Sequence, residues 1–347
     1  MIDRTGFATA LVAWQKVHGR NHLPWQNTCD PYRVWLSEIM LQQTQVATVN
    51  DYFQRFTARF ADVRALALAH EDEVMGLWSG LGYYTRARNL HRCAQVVVTQ
   101  YAGQFPRDAA TLASLPGIGR STASAIASIC FGERVAILDA NVKRVVSRVF
   151  AFEGDLALQR EEKALWVLAE QLLPERNEDM PRYTQGMMDL GASMCTPKTP
   201  QCGACPVRAL CTSADADPTR FPVRTRKLKR SSESVWALWL QRSDGAVWLQ
   251  QRPSTGVWAR LYCLPVWGDA APLNAAVGGL VVQAVREDLP VFQHVLTHKD
   301  LHIHPVRVRV PDAGAVTLEG GGWYAPEAWR QLGLPAPVRK LLESATG

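Results

Sequence analysis

The sequence lacks the marks of membrane-spanning, secreted and disordered proteins. No apolar run approaches the ~20 residues that cross a bilayer, which argues against an integral membrane protein. The first residues, MIDRTGFATALVAWQK, contain no basic segment followed by an uninterrupted apolar one, so we expect no secretory signal. Hydrophobic residues make up 47% and charged residues 20%, which is ordinary for a globular protein. The net charge of +6 permits a polyanionic partner without requiring one.

Residues 1–212 carry helical patterns. Phe7, Leu11 and Trp14 recur at the spacing of one helix face. Asp30-Pro31 is a helix-start signal, because an aspartate side chain caps a helix and proline fits its first turn. With 347 residues and ~100–200 residues per domain, two domains are expected. We therefore predict a mainly α-helical region over residues 1–212.

The composition changes after residue 212. Residues 213–232 contain two prolines and six basic residues, which is typical of a linker, either solvated or in contact with a nucleic-acid backbone. The basic residues are Arg220, Arg224, Arg226, Lys227, Lys229 and Arg230. Residues 233–347 contain short β-prone runs between turn signals. We predict a smaller α+β domain there, with possible helices near 273–287 and 326–344.

Four of the eight cysteines lie in one short segment with the spacing C-x6-C-x2-C-x5-C. They are Cys195, Cys202, Cys205 and Cys211. Such crowding indicates a metal centre rather than a disulfide framework. Zinc ribbons usually present two C-x2-C pairs, whereas one pair with flanking cysteines suits an iron–sulfur cluster. The spacing favours iron–sulfur and leaves zinc as the alternative. The scattered Cys29, Cys93, Cys130 and Cys263 are predicted to be small core residues.

The string LPGIGRSTA at 115–123 predicts two helices joined by a tight hairpin. Gly117 and Gly119 allow unusual backbone angles, and a helix begins at Arg120. Backbone amides at such a helix start bind a phosphate without reading sequence, although a hairpin that binds nothing is the simpler alternative. Asp139 follows twenty residues after Gly119 and is predicted to cap the next helix.

The hairpin, Asp139 and the four-cysteine loop together resemble the helix–hairpin–helix DNA glycosylases of the endonuclease III superfamily. The stretches WLSEIMLQQTQVATV (35–49) and GLGYYTRARNL (80–90) narrow the resemblance to the MutY branch. These are adenine DNA glycosylases that remove adenine mispaired with 8-oxoguanine. The resemblance implies a six-helix barrel with an iron–sulfur domain over 1–212, a [4Fe-4S] cluster in loop 195–211, and a Nudix-like lesion-recognition domain over 233–347.

The resemblance also assigns catalytic roles. Glu38 lies among Trp35, Ile39 and Met40, and an apolar setting raises a carboxyl pKa, which suits a general acid. The family pattern makes Glu38 the group that protonates adenine, although a glutamate on a solvated helix face is the ordinary alternative. Asp139, expected to stay ionised, would stabilise the sugar cation.

Two further positions complete the predicted catalytic site. Asn141 matches a family position that hydrogen-bonds at the site. Ser121 stands where relatives that also cut the backbone carry a lysine, whose amine forms a Schiff base with the sugar. We therefore predict a glycosylase without lyase activity.

Base recognition is also carried over by resemblance. Leu23 and Trp25 are expected in the adenine pocket, and Gln43 and Tyr83 are expected to wedge into the duplex. Gln42 and Thr44 would touch the partner base or the backbone. Trp25 and Tyr83 have an alternative interpretation as ordinary core aromatics.

The C-terminal domain departs from the family pattern at its lesion-reading turn. The family commonly has His-x-Phe-Ser-His, whereas this chain has His294, Leu296, Thr297 and His298 at the corresponding positions. Thr297 keeps a hydroxyl, but Leu296 supplies no aromatic ring. Only Glu287 and Asp288 stand where a hydrolytic Nudix site would carry a glutamate-rich helix, so we predict no pyrophosphatase activity.

The favoured function is a monofunctional glycosylase for adenine opposite 8-oxoguanine or guanine, acting in base excision repair. Two alternatives are an endonuclease III-like pyrimidine glycosylase/lyase and a non-catalytic iron–sulfur module that senses DNA damage. The expected partner is double-stranded DNA containing these mispairs, and no membrane. We expect a monomer in a bacterial cytoplasm, active on the nucleoid.

Overall fold

The chain forms two compact units in a computed structural model that describes residues 4–225, 229–280, 284–311 and 318–344. The helical unit comprises Met1–Leu68 and Asn89–Lys227. The sheet unit comprises Ala69–Arg88 and Leu228–Gly347. None of the helices in the described ranges has the length and hydropathy needed to span a bilayer.

The predicted helical character of the N-terminal region is confirmed. Its helices are α1 (Arg4–His18), α2 (Pro31–Leu41), α3 (Val46–Arg59), α4 (Val63–Leu68), α5 (Glu71–Trp78), α6 (Thr85–Gln100), α7 (Ala109–Leu112), α8 (Arg120–Phe131), α9 (Ala140–Val149), α10 (Gln159–Glu170) and α11 (Met180–Asp189). A π-helical turn, Leu190–Met194, continues α11. Buried side chains of α1, α9 and α11, such as Phe7, Val145 and Met187, share one apolar core.

Aspartate side chains cap the starts of several of these helices, among them α2, α7 and α9. The carboxylate of Asp30 accepts a hydrogen bond from the amide of Tyr32 at 3.0 Å, with Pro31 in the first turn of α2. Asp108 caps α7 in the same way. Asp139 caps α9, as the sequence predicts. Each cap satisfies an amide that a helix start would otherwise leave without a partner.

The predicted α+β character of the C-terminal domain is also confirmed. Its elements are β1 (Ser231–Arg242), β2 (Val247–Gln251), β3 (Tyr262–Cys263), β4 (Val266–Trp267), α12 (Ala270–Gly278), β5 (Val285–Asp288), β6 (Phe292–Val295), β7 (Lys299–Val310), β8 (Gly321–Tyr324), α13 (Pro326–Trp329) and α14 (Ala336–Glu343). The long strands β1 and β7 pair in parallel, and β6 pairs antiparallel with β7. Of the predicted lesion-reading residues, His294 lies on β6, and Leu296, Thr297 and His298 lie in the turn between β6 and β7.

The helix expected near 273–287 is shorter than predicted. α12 ends at Gly278, and residues 285–288 form the strand β5, which pairs antiparallel with β7. Two consecutive glycines, Gly278 and Gly279, weaken continuation of the helix. Residues 281–283 of the expected helix lie outside the described residues. The helical stretch expected near 326–344 is divided into α13 and α14.

Two segments belong to a different unit than the predicted boundaries suggest. Residues 213–225 of the predicted linker are held in the helical unit: the Ser213 hydroxyl donates to the carbonyl of Arg148, and the amide of Leu156 donates to the carbonyl of Val223. Arg226 and Lys227 lie outside the described residues. Residues 69–88 belong to the sheet unit, because the hydroxyls of Ser79 and Tyr84 both donate to the carbonyl of Leu334.

Candidate active site and cysteine cluster

A cavity of about 220 Å³ lies in the helical unit. It exceeds the ~150 Å³ cavity that admits benzene in an engineered protein, so its volume is sufficient for a flat heterocycle. Its lining includes Arg20, Trp25, Gln26, Glu38, Leu41, Gln185 and Met188. These residues come from the segment after α1, from α2 and from α11.

Glu38 places a carboxyl group at the wall of this cavity. It is half-buried on α2, beside the fully buried Trp35 and the buried Ile39. Burial raises its pKa to about 7, the charge of Asp139 adds to the rise, and Arg20 opposes it. Glu38 therefore does not lie on a solvated helix face, the alternative interpretation from the sequence. A carboxyl with this pKa can donate a proton near neutral pH.

Asp139 carries a second carboxylate with a different environment. Its Oδ1 accepts from the amide of Val142 at 2.7 Å, and the Asn141 side chain donates to its Oδ2 at 3.4 Å. Burial raises the pKa of Asp139, while these hydrogen bonds and the charge of Arg144 lower it. The net effect is a raised pKa, whereas a solvent-exposed capping aspartate would stay fully ionised, because burial desolvates the Asp139 carboxylate. The pKa of Glu38, unlike that of Asp139, is not lowered by hydrogen bonds to the carboxylate.

Ser121 contacts the residue that precedes Asp139 in the chain. Its hydroxyl oxygen accepts a hydrogen bond from the amide of Leu138, the residue before Asp139, at 3.0 Å. The start of α8 and the start of α9 therefore meet at the predicted catalytic residues.

Three polar residues of the cavity were not found by sequence reasoning. Both polar atoms of the Gln26 side chain are buried and have no hydrogen-bond partner within the described structure. The Arg20 guanidinium donates to the fully buried Asp189 at 2.7 Å, and Gln185 donates to the same carboxylate at 3.0 Å. Gln26 directly follows Trp25, a predicted residue of the adenine pocket, and this closeness in sequence is a signal that could have identified it. Arg20 and Gln185 carry no comparable signal.

The predicted apolar wall of the cavity is only partly as expected. Trp25 lines the cavity and is 6% exposed, with its ring edge-on to Phe53 at 5.3 Å. It is therefore both a core aromatic and a wall of the cavity. Leu23 does not line the cavity. It lies in a turn in which its own carbonyl accepts a hydrogen bond from the amide of Gln26. Leu41 lines the cavity on α2.

The predicted hairpin lies between α7 and α8. Gly117 has a φ of +76°, and a Cβ there would lie 2.6 Å from the Cβ of Asn89. Gly119 faces open space and starts α8 without a side-chain cap. This leaves the first amides of α8 available to an external acceptor, as a phosphate site requires.

The loop between α2 and α3 adjoins this hairpin helix. The Gln42 side chain lies 3.5 Å from the hydroxyl of Thr122, on the first turn of α8. Gln43 has a φ of +56°, a strained value for a residue with a side chain. The hydroxyl of Thr44 donates to the carbonyl of Gln42 at 3.4 Å. The structure thus brings Gln42–Thr44 and the hairpin helix together.

In the sheet unit, Tyr83 contacts the turn that the sequence predicts to read the lesion. Tyr83 is 44% exposed, has a φ of +46°, and its hydroxyl contacts the hydroxyl of Thr297. A cavity of about 640 Å³ is lined by Tyr83, Trp258, His294, Thr297 and His298, among others. Tyr83 is therefore not a core aromatic.

The turn itself is anchored from two sides. The amide of Leu296 donates to the carbonyl of Lys299 at 2.8 Å, and Arg230 donates to the carbonyl of Thr297 at 2.9 Å. The Leu296 side chain packs against the core of the sheet unit. It therefore stabilises the turn. Burial and the charge of Lys340 lower the pKa of His294.

The four clustered cysteines line one cavity of about 30 Å³ in the helical unit. All four are unpaired thiols, and burial raises the pKa of Cys205 to about 11 and also raises the pKa of Cys211. Across the described residues, no three His, Cys, Asp or Glu side chains stand as ligands of a single metal ion. Four thiols around a shared cavity are a donor set that fits a polynuclear iron–sulfur group.

Arg144 connects this loop to the candidate active site. Its guanidinium donates to the side-chain oxygen of Asn141 at 2.9 Å, to the carbonyl of Gly191 at 2.7 Å, and to the carbonyl of Cys195 at 2.7 Å. Sequence reasoning did not single out this residue. Its charge also acts on Asp139.

Three protein-family models match separate parts of the chain. Residues 36–171 match the HhH-GPD superfamily of base excision DNA repair proteins. Residues 195–211 match the iron–sulfur binding domain of endonuclease III, and residues 236–344 match the NUDIX domain. The iron–sulfur assignment is thereby confirmed over zinc, and the cysteine loop is a [4Fe-4S] site.

Proteins with similar sequences include adenine DNA glycosylases from bacteria and mammals. The adenine DNA glycosylase of Buchnera aphidicola (strain APS) is 34% identical over 345 residues, covering 97% of each chain. The adenine DNA glycosylase of Mus musculus is 45% identical over 219 residues, covering 60% of this chain and 42% of the mouse protein.

Two solved structures resemble about three fifths of the chain. A thermostable thymine-DNA glycosylase is 30% identical with a TM-score of 0.54, covering 61% of this chain and 96% of that one. The endonuclease III in a non-covalent DNA complex is 24% identical with a TM-score of 0.50, covering 62% and 97%. The latter likeness shows a shared fold.

Proposed function

Because the chain belongs to the adenine DNA glycosylase family of the HhH-GPD superfamily, we propose that it releases adenine mispaired with 8-oxoguanine or guanine. The enzyme hydrolyses an N-glycosidic bond in base excision repair. The proposal concerns the mispair, the roles of individual residues, and the absence of strand cleavage.

The pair of unlike carboxyl groups carries the catalytic assignment. Cleavage of an N-glycosidic bond leaves a cation-like sugar and an adenine that needs a proton. Glu38, with a pKa raised to about 7, supplies that proton from the wall of the cavity. Asp139, fixed by the amide of Val142 and by Asn141, supplies the negative charge that stabilises the sugar cation.

Gln26 provides a means of reading adenine. An amide side chain offers a donor and an acceptor, which is the pairing that Gln and Asn make with adenine. Its buried polar atoms have no partner among the described residues, so a bound base would satisfy them. Trp25 and Leu41 provide apolar walls of the same cavity. The extruded base enters this cavity from the duplex.

Tyr83 and Thr297 support recognition of the partner base. The two hydroxyls contact each other beside a cavity of about 640 Å³ in the sheet unit. The strained, exposed Tyr83 is suited to wedge between base pairs, and Thr297 lies in the turn that reads the lesion. His294 and His298 add polar groups to the same lining.

The phosphate backbone is bound without sequence reading. The uncapped start of α8 after Gly119 presents backbone amides to a phosphate. Ser121 on the same helix places a hydroxyl, not an amine, at the backbone amide of Leu138, the residue before Asp139. Without an amine there, a Schiff base with the sugar does not form at this position. The product is therefore an abasic site in an intact strand. The proposal also includes a monomeric enzyme that acts on the nucleoid of a bacterial cytoplasm.

Single-turnover base release tests this proposal. Duplexes with A·8-oxoguanine, A·G, A·T and thymine glycol·A are incubated with the protein and analysed with and without alkali. We expect strand breaks from A·8-oxoguanine and A·G that appear only after alkali. Cleavage at thymine glycol without alkali would instead support a pyrimidine glycosylase/lyase. Binding without release of any base would support a non-catalytic sensor.

A further inference from the structure

Arg148 is an arginine buried beside the cysteine loop. It lies on α9, nine residues after Asp139, and only 2% of its surface is exposed. Its guanidinium donates to the carbonyls of Thr196 at 2.7 Å, Pro197 at 2.9 Å and Phe221 at 3.2 Å. These bonds join the start of the cysteine loop to the segment that follows its end.

The same side chain touches a cluster ligand. Nη1 of Arg148 donates to Sγ of Cys195 at 3.4 Å. The backbone carbonyl oxygen of Arg148 lies 3.5 Å from Sγ of Cys211. Arg148 therefore contacts both the first and the last of the four cysteines.

Within the described residues, no carboxylate lies in ion-pair distance of this guanidinium. Its described acceptors are three carbonyl oxygens and one sulfur. The charge of Arg148 lowers the pKa of the exposed Asp217, but the two side chains form no ion pair in the described contacts. The neighbouring Arg144 adds a second positive charge. A buried cation without a counter-charge is strongly destabilising. The loop therefore needs an anion close to Arg148.

We propose that Arg148 is the counter-ion of the iron–sulfur cluster and raises its reduction potential. Four cysteine thiolates around an iron–sulfur core carry a net negative charge, which supplies the missing partner. Reduction makes the cluster more negative, so a fixed positive charge favours the reduced form. The hydrogen bond to the Cys195 sulfur acts in the same direction, because it withdraws charge from a ligand.

Two substitutions separate the charge from the packing. Arg148→Met removes the charge and keeps much of the apolar stem, whereas Arg148→Lys keeps the charge and loses the fork of donors. Arg208→Met is the control: Arg208 lies between Cys205 and Cys211, is 47% exposed, and pairs with Asp215 in solvent. It removes the same formal charge from the loop without touching a sulfur in the described contacts.

The test measures iron and sulfide content and the reduction potential of the purified holoprotein by film voltammetry. At a fixed potential, Arg148→Met is expected to lower the ratio of reduced to oxidised cluster at least tenfold, a shift of ~59 mV or more for one electron. Arg148→Lys and Arg208→Met should stay close to the unsubstituted protein. Loss of the cluster from Arg148→Met, with a loaded Arg148→Lys of nearly unchanged potential, would also support the proposal.

Two results would overturn it. One is a fully loaded Arg148→Met protein whose potential is unchanged or higher. The other is loss of the cluster from both Arg148 variants, which would make the side chain a packing element of the loop. Base release from A·8-oxoguanine is measured separately, so failure of the proposed substrate assignment leaves this test intact.

Discussion

Glu38 is expected to reduce the stability of the folded protein above neutral pH. Its pKa is raised from 4.5 to about 7, chiefly by burial and further by the charge of Asp139. The folded state therefore holds a proton that the unfolded chain has already released between these two pH values. By linkage, the free energy of unfolding falls as the pH rises from about 4.5 to about 7.

The magnitude follows from the size of the shift. At 1.36 kcal/mol for each pKa unit, the ionised Glu38 costs at most ~3 kcal/mol above pH 7. Glu38→Gln removes the charge and keeps the shape. The variant should therefore be more stable than the unsubstituted protein at pH 8 by up to ~3 kcal/mol, and close to it at pH 4.5. The same change abolishes the proposed proton donor.

Thermal unfolding of the holoprotein at both pH values measures this difference. For a unit of this size, ~3 kcal/mol corresponds to an increase in Tm of roughly 6–12 °C at pH 8. Glu153→Gln, at an exposed position of the same unit, is the matched control and should show no such pH-dependent gain. A Glu38→Gln protein with the same Tm difference at pH 4.5 and pH 8 would refute the assignment of a desolvated carboxyl.

Three further substitutions probe the proposed site. Ser121→Lys should create a borohydride-trappable adduct with the DNA product, whereas Ser121→Ala should not; absence of an adduct with lysine would show that the position does not face the sugar. Gln26→Leu should slow single-turnover release of adenine by ~1–3 kcal/mol, or roughly 5- to 150-fold, and an unchanged rate would exclude base reading by this amide. Thr297→Val should lower the preference for A·8-oxoguanine over A·G by ~0.5–1.5 kcal/mol through loss of the contact with Tyr83; equal preference in both proteins would contradict that role.

Local signals in the sequence predicted the elements that depend on nearby residues. Asp30-Pro31 and Asp139 start helices because their carboxylates cap amides two or three residues away. Gly117 marks a turn because its positive φ and the closeness of Asn89 exclude a side chain. The four cysteines were found because a metal loop keeps its ligands close in sequence.

Contacts between distant segments were not predictable in this way. Arg20 reaches the cavity through Asp189, and the two lie 169 positions apart. Ser79 joins the sheet unit through the carbonyl of Leu334, 255 positions away. No local pattern encodes such a bond. The sequence also predicts a helix over the residues of β5. They form a strand instead, because pairing with β7 at the edge of the sheet prevails over local propensity.

The most direct test of the central claim is the pH dependence of adenine release from A·8-oxoguanine under single-turnover conditions. With Glu38 as the proton donor, the rate should be highest below about pH 7 and fall ~tenfold for each pH unit above it. Glu38→Gln should lose this activity across the range while still binding the duplex. A rate that stays constant from pH 6 to pH 9, or a Glu38→Gln enzyme with undiminished activity, would contradict the account.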